Sequence, residues 1–192
     1  MRWDKVEDDA YYRARKYEFM AKRYEKIGDN DRAVECWQQF SELKEQKGSY
    51  FLAAFGYYHV SRLHAILKNG ADSIVALENA HDNAHKSALP ISLFISYELA
   101  FTYEREGELR KALDCYERLG EAQERAERYF LAADAYEHAA ELRHEIGMAA
   151  KTYELPLIAW KKNSEYWDTK GESDDAQWSE ERKRYYKALY RQ

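Results

Sequence analysis

Two Glu-x-x-His pairs, Glu78 with His81 and Glu141 with His144, are the residues of this sequence best placed to do chemistry. On a helix a spacing of three puts carboxylate and imidazole on one face. Two such pairs, completed by one glutamate from each of two further helices, make the ligand set of a di-iron carboxylate centre. Glu45 precedes Glu78 by the same interval as Glu108 precedes Glu141. The order of elements works against this set. Glu108 follows Gly107 at a predicted turn, and residues 49–69 contain no acid. A second metal reading takes His81 and His85, four apart on one face, as a helical zinc pair, with His59 and His64 on the preceding helix. "HDNAH" lacks the glutamate of a zinc-protease HExxH motif. The plainer reading makes these histidines partly exposed residues at helix contacts.

Other catalytic patterns are missing from the sequence. The glycines are isolated and form no phosphate loop, no G-x-S-x-G elbow occurs, and neither cysteine has a histidine beside it. The chain is therefore expected to be no enzyme and to need no cofactor. Net charge is −5, from 30 basic and 35 acidic residues, and a phosphate-binding surface calls for the opposite balance. The basic clusters Arg13, Arg15, Lys16 and Arg182, Lys183, Arg184 have acids close by and read as solvated helix faces, so nucleic acid is not an expected partner. Cys36 and Cys115 read as small packing residues, not as a bridge, which fits a cytoplasmic protein. The charged N-terminus has no signal-peptide core. No apolar run approaches the roughly 18 residues of a membrane span, so no membrane association is expected.

The elements that position these residues are predicted to be helices throughout. Only two Pro and eight Gly occur among 192 residues, and those two residue types cost most inside helices. Breakers at Gly28, Gly48, Gly70, Pro90, Gly107, Gly120, Gly147 and Gly171 divide the chain into nine predicted helices, near 4–27, 30–47, 49–69, 71–88, 90–106, 108–119, 121–146, 148–170 and 173–190. Asp29, Asn30 and Asp31 offer N-caps after Gly28. Pro90 suits a first helical turn. Pro156, inside 148–170, predicts a kink or a break just before it. Gly28, Gly70, Gly107 and Gly147 mark turns within hairpins at nearly even intervals. An interval of about 40 residues in an all-helical chain means stacked hairpins. The expected domain is single, with hairpins at about 4–47, 49–88, 90–119 and 121–170 and a capping helix at 173–190. That last helix has acids first and bases last, as the helix dipole prefers, and Trp178, Tyr185, Tyr186 and Leu189 form one rough face.

The period is written into the residues themselves. "AKRYEKIGDNDRAVECWQQF" (21–40) aligns on "AFTYEREGELRKALDCYERL" (100–119) at one constant offset, without a gap. Ala21, Tyr24, Gly28, Ala33, Cys36 and Trp37 meet Ala100, Tyr103, Gly107, Ala112, Cys115 and Tyr116. At a larger offset, about three periods, Tyr17, Glu18, Ala21, Ile27 and Gly28 meet Tyr136, Glu137, Ala140, Ile146 and Gly147; the segment 49–88 matches least. Small residues let helix backbones approach, and aromatic residues fill the space beside each contact. Each buried ring contributes about 1.5–3 kcal/mol from area alone. One hairpin cannot cover such a stripe, so a neighbour must.

This pattern resembles the tetratricopeptide repeat: Ala21, Tyr24, Gly28-Asp29, Ala33, Trp37, Phe40, and again Ala100, Tyr103, Gly107-Glu108, Ala112, Tyr116, Leu119. A third, partial match covers 129–147, where "AADAYEHAAELRHEIG" looks like a packing helix without a tidy turn. The period is longer than the usual repeat of about 34 residues, and the closing proline is missing. This is similar to the long-helix architecture of the soluble NSF attachment proteins and of the bacterial Rap regulators. The resemblance implies an all-α solenoid, a right-handed superhelix whose concave face is built mainly by the first helix of each hairpin. The corresponding residues are Arg15, Glu18, Phe19 and Lys22, then Phe94, Tyr97, Glu98 and Phe101. The asparagines of the family's carboxylate clamp are absent, and the mixed aromatic and charged face suits a helix or extended peptide with apolar anchors. The expected function is a non-enzymatic protein- or peptide-binding module, monomer or homodimer. The alternatives are a metal-binding helical protein using Glu78, His81, His85, Glu141 and His144, and a Rap-type peptide sensor, which would also need an effector domain.

Overall fold

A long helix followed by a tight turn is the unit from which most of this chain is built. The computed structural model describes residues 4–87, 91–148 and 152–190. Among them are nine helices and no strand: α1 (Asp4–Ile27), α2 (Asn30–Gln46), α3 (Tyr50–Ile66), α4 (Gly70–Lys86), α5 (Ile91–Arg105), α6 (Leu109–Arg125), α7 (Tyr129–Glu145), α8 (Glu154–Lys170) and α9 (Ser173–Tyr190). Helices α2, α3, α4, α6, α7 and α8 have 17 residues each. The substantial helix–helix contacts among the described residues join consecutive helices: α1 with α2, α2 with α3, α3 with α4, α6 with α7, α7 with α8 and α8 with α9. This nearest-neighbour pattern is that of a helical repeat.

The turns are near-copies of one another. In seven of them an amide just past the helix end donates back to the carbonyl five positions earlier, from Asp29 to Tyr24 through Glu172 to Trp167, at 2.8–3.2 Å. The residue just before each donor is left-handed. Gly28, Gly48, Gly107, Gly147 and Gly171 fill five of these places, but Lys68 (φ 61°) and Glu127 (φ 56°) fill the other two. Those two side chains hide their turns in the sequence, and predicted boundaries shift as a result. The turn assigned to Gly70 lies at 67–69, and Gly70 opens α4. The break placed at Gly120 does not occur: α6 runs through it to Arg125, where the helix was expected to end near 119, and α7 begins at Tyr129. The turn at Gly147, expected to be untidy, has the same bond as the rest, Met148 to Arg143 at 2.8 Å. The helix expected from 148 starts at Glu154, so the break precedes Pro156, which sits in the first turn. Pro90 lies outside the described residues. Asp29 caps α2, its Oδ1 accepting from the Arg32 amide at 3.4 Å.

The chain forms two compact units, residues 1–102 and 103–192. The core of the first holds Trp37, Phe40, Ala21, Ala33, Val60 and Leu63, with Tyr24 half-buried against them. Trp37 is wholly buried and meets Phe40 and Phe55 edge-on at 5.4 and 5.8 Å. In the second, Tyr103 and Tyr116 are buried, and Trp160, Tyr136 and Tyr186 gather Ala132, Ala133 and Ala159. Cys36 is buried and Cys115 half-buried, and neither is in a disulfide. Burial pushes the Cys36 thiol up, and Glu35 adds to that. Within α9, Tyr186 and Leu189 join the core while Trp178 and Tyr185 stay half-exposed.

A second device recurs across the turns. A glutamate in the last turn of one helix accepts from an aromatic donor twelve positions later, in the second turn of the next. Trp37 Nε1 donates to Glu25, Tyr57 to Glu45 (3.1 Å), Tyr116 to Glu104 (3.1 Å) and Tyr136 to Glu124 (3.1 Å). Each bond satisfies the polar tip of a ring whose body is packed in the core. Missing side chains allow close approach between helices: a Cβ on Gly120 would stand 2.6 Å from Cδ1 of Tyr136, and one on Gly56 would stand 2.8 Å from Cδ1 of Phe40.

Candidate interaction surface

The predicted groove residues on α1 and α5 both belong to the first unit, where α3 stands with them. On α1, Phe19 is 67% exposed. Beside it Lys22 pairs with Glu18 at 2.6 Å, and Arg15 reaches the Tyr11 hydroxyl at 3.3 Å. On α5, Phe94 and Phe101 are about half exposed, while Tyr97 and Glu98 are half-buried.

The link to both helices is α3, which the expected groove did not include. Tyr58 meets Phe94 edge-on at 5.5 Å and lies under the Arg62 guanidinium. Burial, reinforced by the Glu98 charge and opposed by Arg62, raises the Tyr58 phenol. His59 stacks on Trp37, and its Nδ1 is 3.6 Å from Glu25 Oε1 of α1. Burial lowers the His59 imidazole; Glu25 works against this, and Arg62 and Lys22 add to it. Helix α3 thus touches α1 through His59 and Glu25 and α5 through Tyr58 and Phe94.

A signal for α3 was available. "YFLAA" at 50–54 recurs at 129–133, the offset that joins 21–40 to 100–119, and Tyr57, His59 and Leu63 recur as Tyr136, His138 and Leu142. The copied residues are mostly packing residues, and they repeat their contacts. His138 stacks on Tyr116 as His59 does on Trp37. Glu124 accepts from Tyr136 and Lys162 as Glu45 does from Tyr57 and Lys86. The exposed Phe51 and Leu52 are copied too, as Phe130 and Leu131, but three positions of α3 are not. Phe55, Tyr58 and Arg62 correspond to Asp134, Glu137 and Glu141. Glu137 is itself engaged, accepting from Trp160 and from both Nε and Nη2 of Arg182 on α9.

No protein-family model and no curated protein matches the sequence. Among solved structures, the nearly identical TPR-like repeats assigned to a kinesin light chain of Podosopora anserina align with 92% of this chain and 95% of theirs, at 18% identity and a TM-score of 0.53. A single-substitution variant of those repeats gives 0.54 at the same identity and coverage. The fold is that of TPR-like helical repeats.

In this TPR-like chain the residues of the di-iron reading are spread over several elements. Glu45 lies in the last turn of α2, Glu78 and His81 stand on α4, Glu108 precedes α6, and Glu141 and His144 stand on α7. Glu45 is held below the usual carboxylate range: burial alone would raise it, but hydrogen bonds from Lys86, Asn83 and Tyr57 outweigh that. Among the described residues no group of three or more His, Cys, Asp or Glu side chains converges to hold a metal ion. His81 and His85 do meet, Nε2 to Nε2, at 3.1 Å. No described helix is long and apolar enough to cross a membrane.

Proposed function

We propose that this chain is a non-enzymatic interaction module that holds a protein or peptide on the α1–α3–α5 face of its first unit. The observation that carries the reading is the contrast between the two copies. Tyr57, His59 and Leu63 recur at the shared offset, as do the exposed Phe51 and Leu52, while Phe55, Tyr58 and Arg62 give way to Asp134, Glu137 and Glu141. Phe19, Phe94 and Phe101 are exposed rings that a partner with apolar anchors would cover. TPR-like folds in general serve protein interaction, which agrees with this reading. The partner that fits is a helix or extended peptide with apolar anchors for the rings and polar groups for Arg15 and Arg62.

Affinity capture with the full chain as bait, read by quantitative mass spectrometry, tests the proposal. Partners enriched by the native chain should be lost with Arg15→Glu and with Phe94→Glu and retained with Val75→Glu, an exposed apolar position on α4. Retention of the same partners by both groove variants would overturn it.

A further inference from the structure

We propose that His81 and His85 of α4 form a bidentate site for a divalent transition-metal ion, with water or a donor from another molecule completing the shell. The two Nε2 atoms face each other at 3.1 Å. With metal–nitrogen bonds of about 2.0–2.1 Å, two imidazoles on one ion are about 2.9 Å apart in a square arrangement and about 3.3 Å apart in a tetrahedral one. The observed separation falls between these, so the spacing of the two nitrogens matches that of two imidazoles on one ion. The rings cross at 70°, and His85 is exposed.

A second feature points the same way. Asp82 Oδ1 lies 3.9 Å from Nδ1 of His81, beside the nitrogen remote from the pair. At this distance the carboxylate makes no hydrogen bond, and its charge alone favours the proton on Nδ1, which leaves the Nε2 lone pair for a metal. Without an ion, one Nε2 of the pair must carry a proton and the other accept it. When both bind metal, that proton moves through water to Nδ1 of the same ring, and both imidazoles stay neutral. Two nitrogen ligands select copper(II), nickel(II) and zinc(II) over magnesium or calcium. Because the ligands are one helical turn apart, the bound ion also clips α4.

Zinc(II) and copper(II), each added alone to the full chain, are the probes. The expected results are a rise in melting temperature with zinc, none with magnesium, and a copper(II) spectrum with two nitrogen ligands. Loss of the chelate in His85→Ala should weaken binding on the order of 100-fold, while His144→Ala, an exposed histidine on α7, should bind like the native chain. No binding by the native chain, or equal binding by His85→Ala, would overturn the proposal, as would a loss in His144→Ala.

Discussion

The imidazole of His59 lies on the indole of Trp37, with ring centroids 4.4 Å apart and planes 17° from parallel. Glu25, Arg62 and Lys22 are the charged groups that act on it, and burial dominates, lowering its pKa. The unfolded chain therefore takes up a proton at this residue at higher pH than the native chain does. Stability from this group is complete above the unfolded value of about 6.5 and is lost as pH falls from there through the lowered native value. Urea midpoints should drop between pH 7.5 and 5 in the native chain and drop less in His59→Phe, which keeps a ring but cannot titrate. An equal drop in both would show that His59 is not the group responsible.

Gly120→Ala should destabilise the second unit. At an open helical site the change would gain about 1 kcal/mol. Here the added methyl meets the Tyr136 ring, and a cost of about 1–3 kcal/mol is expected. Denaturant unfolding of the two proteins gives the sign directly.

Lys68→Gly and Glu127→Gly should each stabilise the fold, although they add glycine. Both native residues are held at positive φ, where a Cβ costs about 1–2 kcal/mol. The greater freedom of glycine in the unfolded chain returns about 0.4–1 kcal/mol of that. Thermal melts of the two variants should lie slightly above the native one, and Gly28→Ala, the reverse change at an equivalent turn, should lie below.

Tyr136→Phe should cost about 1 kcal/mol, the usual net worth of one hydrogen bond, since it removes the donor to Glu124 and keeps the ring. Lys162→Met, which removes the more exposed partner of the same carboxylate, should cost less than about 1 kcal/mol. A double-mutant comparison separates the two contributions.

Much of this architecture could be read from residue types because each turn with a glycine announced itself. The repeated Ala–Tyr–Gly–Ala–aromatic pattern located α1, α2 and α5 together with the start of α6, and their small residues are buried as expected. The reading failed where backbone conformation and residue type disagree. Lys68 and Glu127 take a conformation that favours glycine, so their turns left no mark. Gly56 and Gly120 are glycines for a different reason, the approach of a neighbouring side chain, and Gly120 was taken for a break. Even spacing would have corrected the error at Gly70: the left-handed positions Gly28, Lys68, Gly107 and Gly147 are almost equally spaced along the chain, whereas Gly70 is out of step. On the candidate surface, α1 and α5 were legible through their agreement with each other. α3 was not, because Phe55, Tyr58 and Arg62 differ from their copies Asp134, Glu137 and Glu141 although much of the rest of the helix agrees.

The most direct test of the interaction surface is site-specific photocrosslinking in cells. A photoreactive phenylalanine analogue would be placed in turn at Phe19, Tyr58, Phe94 and Val75. Discrete adducts at the first three positions, with none at Val75, are the predicted result. Adducts confined to Val75, or none at Phe19, Tyr58 and Phe94 when each variant is folded and expressed at the native level, would contradict the account.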